Sequence, residues 1–170
     1  MAEVHPLSRN HDRVTFDCGS EALNVFLRAT ARQHQDRGIS RTFVLVEPES
    51  AAPNRVIGFF TLSACEGIAS DLPPSLARRL PRHLPAVLLG RLAIDRQFQR
   101  RGYGGALLVE AIRRVAAIAA QIGIAGLFVD AKDDQAAAFY RKFGFVPLPS
   151  NAHRLFLPLS TLLSVASTPT

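Results

Sequence analysis

Cysteine is scarce. The chain has two, Cys18 and Cys65, and no CxxC pair or Cys/His spacing that would frame a metal site. Two isolated thiols read as reduced, half-buried residues of a cytoplasmic protein. Lysine is equally scarce: among 20 Lys and Arg residues only Lys132 and Lys142 are lysines. The net charge of +6 and the pI near 10.3 are therefore carried by arginine, whose fork suits phosphate and carboxylate groups. An anionic partner is expected. The opening stretch MAEVHPLSRN lacks the apolar centre of a signal segment. The uncharged stretch Val115–Val129 contains Gln121 and two glycines and is too short to cross a membrane. The expectation is a cytoplasmic protein with no membrane partner. No repeat, low-complexity tract or linker divides the chain. Its 170 residues, 48% hydrophobic and 20% charged, fit one domain with a sizeable core. That domain is expected over residues 1–163, followed by a small, polar, fraying tail over 164–170.

What is present centres on Ala86–Val109, AVLLGRLAIDRQFQRRGYGGALLV. The apolar run Ala86–Ile94, broken only by Gly90 and Arg91, predicts a strand buried inside a sheet. A basic turn over Asp95–Arg101 leads into Gly102, Gly104 and Gly105. Leu107, Leu108, Ala111, Ile112 and Val115 then recur at helical spacing. The order is buried strand, glycine turn, helix. The first amides of a helix lack internal partners and carry partial positive charge, and glycines let a bound group approach them. With Arg100 and Arg101 alongside, the turn suits a phosphate; the plain alternative is an ordinary tight turn. A Walker loop is excluded because no lysine follows the glycines, and a dinucleotide fingerprint fits poorly because Leu107 stands at its sixth position.

Along the rest of the chain, Glu3–Leu7 predicts a short strand. Ser20 predicts a helix cap, with Leu23, Phe26, Leu27 and Thr30 on the apolar face and Gly38 at the end. Arg28, Arg32, His34 and Arg37 lie on the other face, most simply as a solvated surface. Arg41–Glu47 and Arg55–Ser63 read as a hairpin around a turn at Glu47–Asn54. Cys65–Pro85 is irregular, with a short helix over Ser75–Leu80 after Pro73 and Pro74. Gly123–Asp130 predicts a second buried, parallel strand. Asp133 or Asp134 caps a helix through Phe143, ended by Gly144, and Phe145–Leu148 pairs with Arg154–Leu157.

The run Gln99-Arg-Arg-Gly102-Tyr-Gly104 resembles the acyl-CoA pyrophosphate loop of the GNAT superfamily of N-acyltransferases. Ala136-Ala-Ala-Phe-Tyr140-Arg-Lys-Phe-Gly144-Phe145 resembles the GNAT segment whose helix carries a tyrosine shortly before a terminating Gly-Phe. One departure is Asp133, where the family often has asparagine. The resemblance implies a single α/β GNAT domain, its mixed and mostly antiparallel sheet flanked by helices and splayed at the central strand. It implies acetyl-CoA as co-substrate, with Leu92, Ala93 and Ile94 bonding the pantetheine through backbone atoms. Gln99, Arg100, Arg101, Gly102, Tyr103, Gly104 and Gly105 would hold the pyrophosphate, with minor contacts from Asp133 and Ala136. Tyr140 would be the general acid at the departing sulfur, since a phenol with pKa of about 10 stays protonated at neutral pH. Its plain alternative is a packed helix aromatic.

Phe16-Asp-Cys-Gly19, Arg41-Thr-Phe-Val44 and Leu89-Gly-Arg-Leu-Ala93 resemble, more narrowly, the acetyltransferase toxins of bacterial toxin–antitoxin pairs. That likeness implies acetylation of the α-amino group of aminoacyl-tRNA, a ribbon-helix-helix antitoxin and a homodimer. Arg91, inside an apolar strand, is expected to face the substrate, because a buried guanidinium is costly unless it is paired or lines a cleft. Arg41, Arg78, Arg79 and Arg82, with Arg28, Arg32 and Arg37, are candidates for contact with tRNA phosphates. Glu47, Glu66 and His83 are the candidate bases, each also readable as an ordinary residue. An α-amine with pKa of about 8 needs little help from any of them. Two rivals stand beside this reading: a housekeeping acetyltransferase of a small amine or protein N-terminus, and a non-catalytic CoA-binding or repressor-complex subunit.

Overall fold

Thr42-Phe-Val-Leu-Val46 is apolar at nearly every position, and such a run is stable as a strand covered on both faces. In the computed structural model, which describes residues 2–47, 52 and 54–169, it forms β2 (Arg41–Val46). β2 runs antiparallel to β1 (Glu3–Pro6), with Val4 opposite Leu45, and to β3 (Val56–Ile68), with Val44 opposite Phe59. The other strands are β4 (His83–Ile94), β5 (Gly126–Asp130), β6 (Val146–Leu148) and β7 (Asn151–Pro158). Together they make one seven-stranded sheet in the order β1-β2-β3-β4-β5-β7-β6. β4 and β5 are parallel, while β5–β7 and β6–β7 are antiparallel. The helices are α1 (Glu21–Val25), α2 (Ala31–Asp36), α3 (Pro74–Ala77), α4 (Tyr103–Ala119), α5 (Asp134–Arg141) and α6 (Leu159–Ser167). The chain is a single α/β domain with a mixed, mostly antiparallel open sheet.

Contacts group its residues into two compact units, Met1–Ser63 with Gly90–Ala111, and Ala64–Leu89 with Ile112–Thr170. In the first, Phe16, Phe26, Leu27, Val44 and Phe59 are the large side chains of the core. Ser20 Oγ caps α1 by accepting the Leu23 amide at 3.4 Å, as the sequence predicts. The predicted continuous helix is instead interrupted by a π turn, Phe26–Thr30. The Arg13 guanidinium donates to the Leu27 and Arg28 carbonyls there, at 3.2 and 3.4 Å, an inserted donor of the kind that widens a helical turn.

In the second unit, β4 pairs with β5 from Val87↔Leu127 to Leu89↔Val129, and β5 pairs with β7 from Gly126↔Pro158 to Asp130↔Arg154. Phe128 and Phe156, with ring centroids 4.7 Å apart, pack with Leu72 and Leu84. Three boundaries differ from the sequence reading. Both ends of the stretch expected to be irregular are strand: β3 continues to Ile68, and β4 begins at His83 and accommodates the exposed Pro85, whose carbonyl accepts the Ala125 amide at 2.8 Å. β5 begins at Gly126 rather than Gly123. The expected fraying tail is helical to Ser167. Leu162 is fully buried, Ser167 Oγ donates to the Leu163 carbonyl at 2.6 Å, and Arg113 donates to the Thr168 carbonyl at 3.1 Å. Most of the expected Glu47–Asn54 turn lies outside the described residues.

Candidate functional site

The strand-to-helix turn after β4 is built around a buried acid. Asp95 is 2% exposed, and a carboxylate that enclosed needs compensation. It accepts the Asp17 amide at 3.1 Å and the Gln97 amide at 2.9 Å, and Arg55 Nη2 lies 3.8 Å from its Oδ2. These bonds fix a 3-10 turn, Arg96–Phe98. The guanidinium carbons of Arg55 and Arg101 lie 5.4 and 5.3 Å from the centre of the Phe98 ring, within cation–π range. Gln99 Nε2 donates to the Ile94 carbonyl at 2.8 Å and the Cys18 carbonyl at 3.2 Å, so this side chain closes the turn rather than standing free for a ligand.

The backbone then takes φ of +62° at Arg100 and +83° at Gly102 before α4 begins at Tyr103. A side-chain-bearing residue such as Arg100 seldom adopts that conformation. Gly102 supplies the carbonyl that the Ala106 amide meets at 3.1 Å. The amides of Tyr103, Gly104 and Gly105 therefore have no partner within the helix. No acidic residue occupies the first turn of α4, and Arg100 and Arg101 are exposed. Unopposed helix amides beside two guanidinium groups are chemically suited to an anion.

Upstream in β4, Leu92 is half-buried and Ala93 and Ile94 are buried. The Arg91 guanidinium stacks 3.6 Å over the ring of Phe26, and burial lowers its pKa. Among the described residues it has no carboxylate partner. Asp17 caps the neighbouring segment: its carboxylate accepts the Gly19 amide and then the Asn24 side-chain amide, which together hold its pKa below the usual range.

In the second unit, Asp133 Oδ1 accepts the Ala136 amide at 2.8 Å and caps α5, which gives both residues a structural employment. α5 carries Tyr140, 6% exposed, with its ring edge-on to Phe139 and Phe145 at 5.3 and 5.5 Å. Burial alone pushes the Tyr140 phenol up to about 12. Near the start of α5, His153 meets Asp134 at 2.6 Å, and Arg154 makes a two-pronged bond to Asp130 at 3.0 Å. Two candidate bases, Glu66 and His83, are bonded to each other at 2.6 Å on an exposed surface; Glu47 is half-buried. Arg37, Arg41, Arg78, Arg79 and Arg82 are exposed, whereas Arg28 is committed to the Phe16 carbonyl and Glu21. The sequence reading missed Arg55, Asp95 and Phe98 as the frame of the turn. An acid placed directly after a buried apolar run was the available signal for Asp95.

Residues 39–147 match the acetyltransferase (GNAT) domain family. The chain is 34% identical over 172 residues to the probable toxin TacT of Sinorhizobium fredii, covering 95% of this chain and 93% of that protein. It is 36% identical over 151 residues to a tRNA-acetylating toxin of Mycobacterium tuberculosis, covering 89% and 88%. Among solved structures, AtaT complexed with acetyl-methionyl-tRNAfMet is similar with a TM-score of 0.87 and 34% identity, over 97% of this chain and 99% of that one. A mutant AtaT bound to the C-terminus of the antitoxin AtaR and acetyl-CoA gives 0.80 and 32%, over 98% and 99%. With its strand, glycine turn and helix inside the matched segment, the chain belongs to the GNAT acetyltransferase family.

Proposed function

We propose that this acetyltransferase is a toxin that moves an acetyl group from acetyl-CoA to the α-amino group of aminoacyl-tRNA and so stops translation. The observation that carries the acetyl-CoA half is the turn after β4, with its three unopposed helix amides between Arg100, Arg101 and α4. The tRNA half is supported by near full-length similarity to a tRNA-acetylating toxin and to AtaT in complex with an acetylated aminoacyl-tRNA. In this reading the amides of Tyr103, Gly104 and Gly105 and the two arginines bind the pyrophosphate, and the backbone of Leu92–Ile94 aligns the pantetheine.

The amine nitrogen attacks the thioester carbonyl directly, a C–N bond forms and the C–S bond breaks. Tyr140 gives its phenolic proton to the departing thiolate, the amine releases its own proton to solvent, and Tyr140 takes a proton back from solvent before the next turnover. Burial holds the Tyr140 phenol up at about 12, so the proton it would donate is in place throughout the working pH range. An α-amine with pKa of about 8 is already partly neutral, so no strong base is required. Arg91 and the exposed Arg41, Arg78, Arg79 and Arg82 are the proposed contacts to the acceptor RNA. A ribbon-helix-helix antitoxin, a homodimer and a cytoplasmic location complete the proposal; AtaT bound to a segment of AtaR supports the antitoxin.

Cell-free translation tests it. Addition of the protein with acetyl-CoA is expected to stop synthesis, and omission of acetyl-CoA is expected to restore it. Translation that continues at the control rate with both present contradicts the toxin reading and favours a housekeeping amine substrate.

A further inference from the structure

We infer that Asp17 and Asn24 are positioning residues that hold the turn after β4 in its anion-binding shape. The inference rests on the reading of that turn as a pyrophosphate site. The turn contains Arg100 at φ +62°, a conformation that persists in a residue with a side chain only when the surroundings enforce it. Part of the enforcement comes from the Phe16-Asp-Cys-Gly19 segment, far away in sequence. The Asp17 amide donates to Asp95 Oδ2 at 3.1 Å, and the Asp17 carbonyl accepts the Arg96 amide at 2.8 Å. The Cys18 carbonyl accepts Gln99 Nε2 at 3.2 Å. Residues 95, 96 and 99 are thus tied to the backbone of residues 17 and 18.

Those backbone atoms are aimed by two side chains. Asp17 Oδ1 accepts the Gly19 amide at 2.9 Å and Asn24 Nδ2 at 3.0 Å. Asn24 Oδ1 accepts the Cys18 amide at 2.9 Å. Asn24 is 3% exposed, and both ends of its amide are used within this one segment. Neither residue belongs to the anion site itself. They act through Asp95, Arg96 and Gln99, and give the Phe16–Gly19 motif a task in cofactor affinity.

Calorimetric titration with CoA and with pantetheine, which has the same thiol arm but no pyrophosphate, separates this role from general folding. The native protein is expected to bind CoA far more tightly than pantetheine. Asp17→Ala is expected to weaken CoA binding about 10-fold, the effect of losing a bond or two of ordinary strength, and to leave pantetheine binding unchanged. Asp17→Asn keeps the Oδ1 acceptor and is expected to restore CoA affinity, since it gives up only an exposed ion pair to Arg96 at 3.7 Å. Asn24→Ala is expected to show the same selective loss. Asp17→Asn keeps the acceptor for the buried Asn24 amide and is expected to retain the native melting temperature, whereas Asp17→Ala and Asn24→Ala each leave a polar group unpaired and melt lower, so the comparison of CoA with pantetheine on the folded variants carries the test. Equal losses for both ligands, no loss for either, or an Asp17→Asn variant as weak as Asp17→Ala overturns the inference and leaves the pyrophosphate reading standing. A native protein that binds both ligands alike overturns that reading, and the inference with it.

Discussion

Tyr140→Phe lowers kcat by about 10²- to 10⁴-fold while acetyl-CoA binds as before, the loss expected when a positioned general acid is removed. The change deletes one oxygen and leaves the ring that packs edge-on against Phe139 and Phe145. The fold therefore survives, and the lost rate belongs to the proton. The pH dependence follows from the same burial. The folded phenol sits near 12, above its reference of about 10, so Tyr140 imposes no alkaline fall in rate below about pH 10. Stability carries the same sign: the contribution of Tyr140 is complete below about pH 10 and is lost as the pH rises toward 12, where the unfolded chain has already released the proton. Stopped turnover with the variant, beside calorimetric binding of acetyl-CoA, checks the claim. A variant with native kcat would remove Tyr140 from the mechanism.

Gly126→Ala is expected to destabilise the protein by about 3 kcal/mol, at or beyond the upper end of ordinary overpacking. A Cβ at this position would overlap the Leu157 carbonyl oxygen and lie 2.6 Å from the Phe156 ring. Neither neighbour can retreat cheaply. The oxygen is backbone of β7, in register with β5, and Phe156 is buried against Phe128. β5 cannot move away either, because its next residue, Leu127, is paired with Val87. Guanidinium denaturation gives the stability difference directly. A shift below about 1 kcal/mol would mean that the β5–β7 ladder yields more easily than its geometry implies.

The parts of the molecule legible in the sequence are those governed by local rules. Ser20 before Glu21, Asp133 before the helix of Tyr140, and the apolar run into Ile94 each appear where propensity and periodicity place them. The illegible parts depend on partners distant in sequence. The π turn at Phe26–Thr30 follows from Arg13 reaching two helix carbonyls, a contact that no local window contains. β4 reaches back through Pro85 because the sheet needs that carbonyl, not the missing amide, to meet Ala125. The glycine turn itself was readable, but its frame was not. Arg55 and Asp17 lie 40 and 78 residues before Asp95 in the chain, and only the fold brings them to one carboxylate. For the same reason the Gln99 side chain, the first letter of the glycine motif, proves to serve the loop itself.

Transfer of labelled acetyl groups from acetyl-CoA, measured side by side on aminoacyl-tRNA, deacylated tRNA, polyamines and lysine peptides, tests the central claim most directly. The account predicts label on the charged tRNA alone, recovered as the N-acetylated amino acid after mild alkaline release. Label on a polyamine or a peptide, with the charged tRNA untouched, would contradict it.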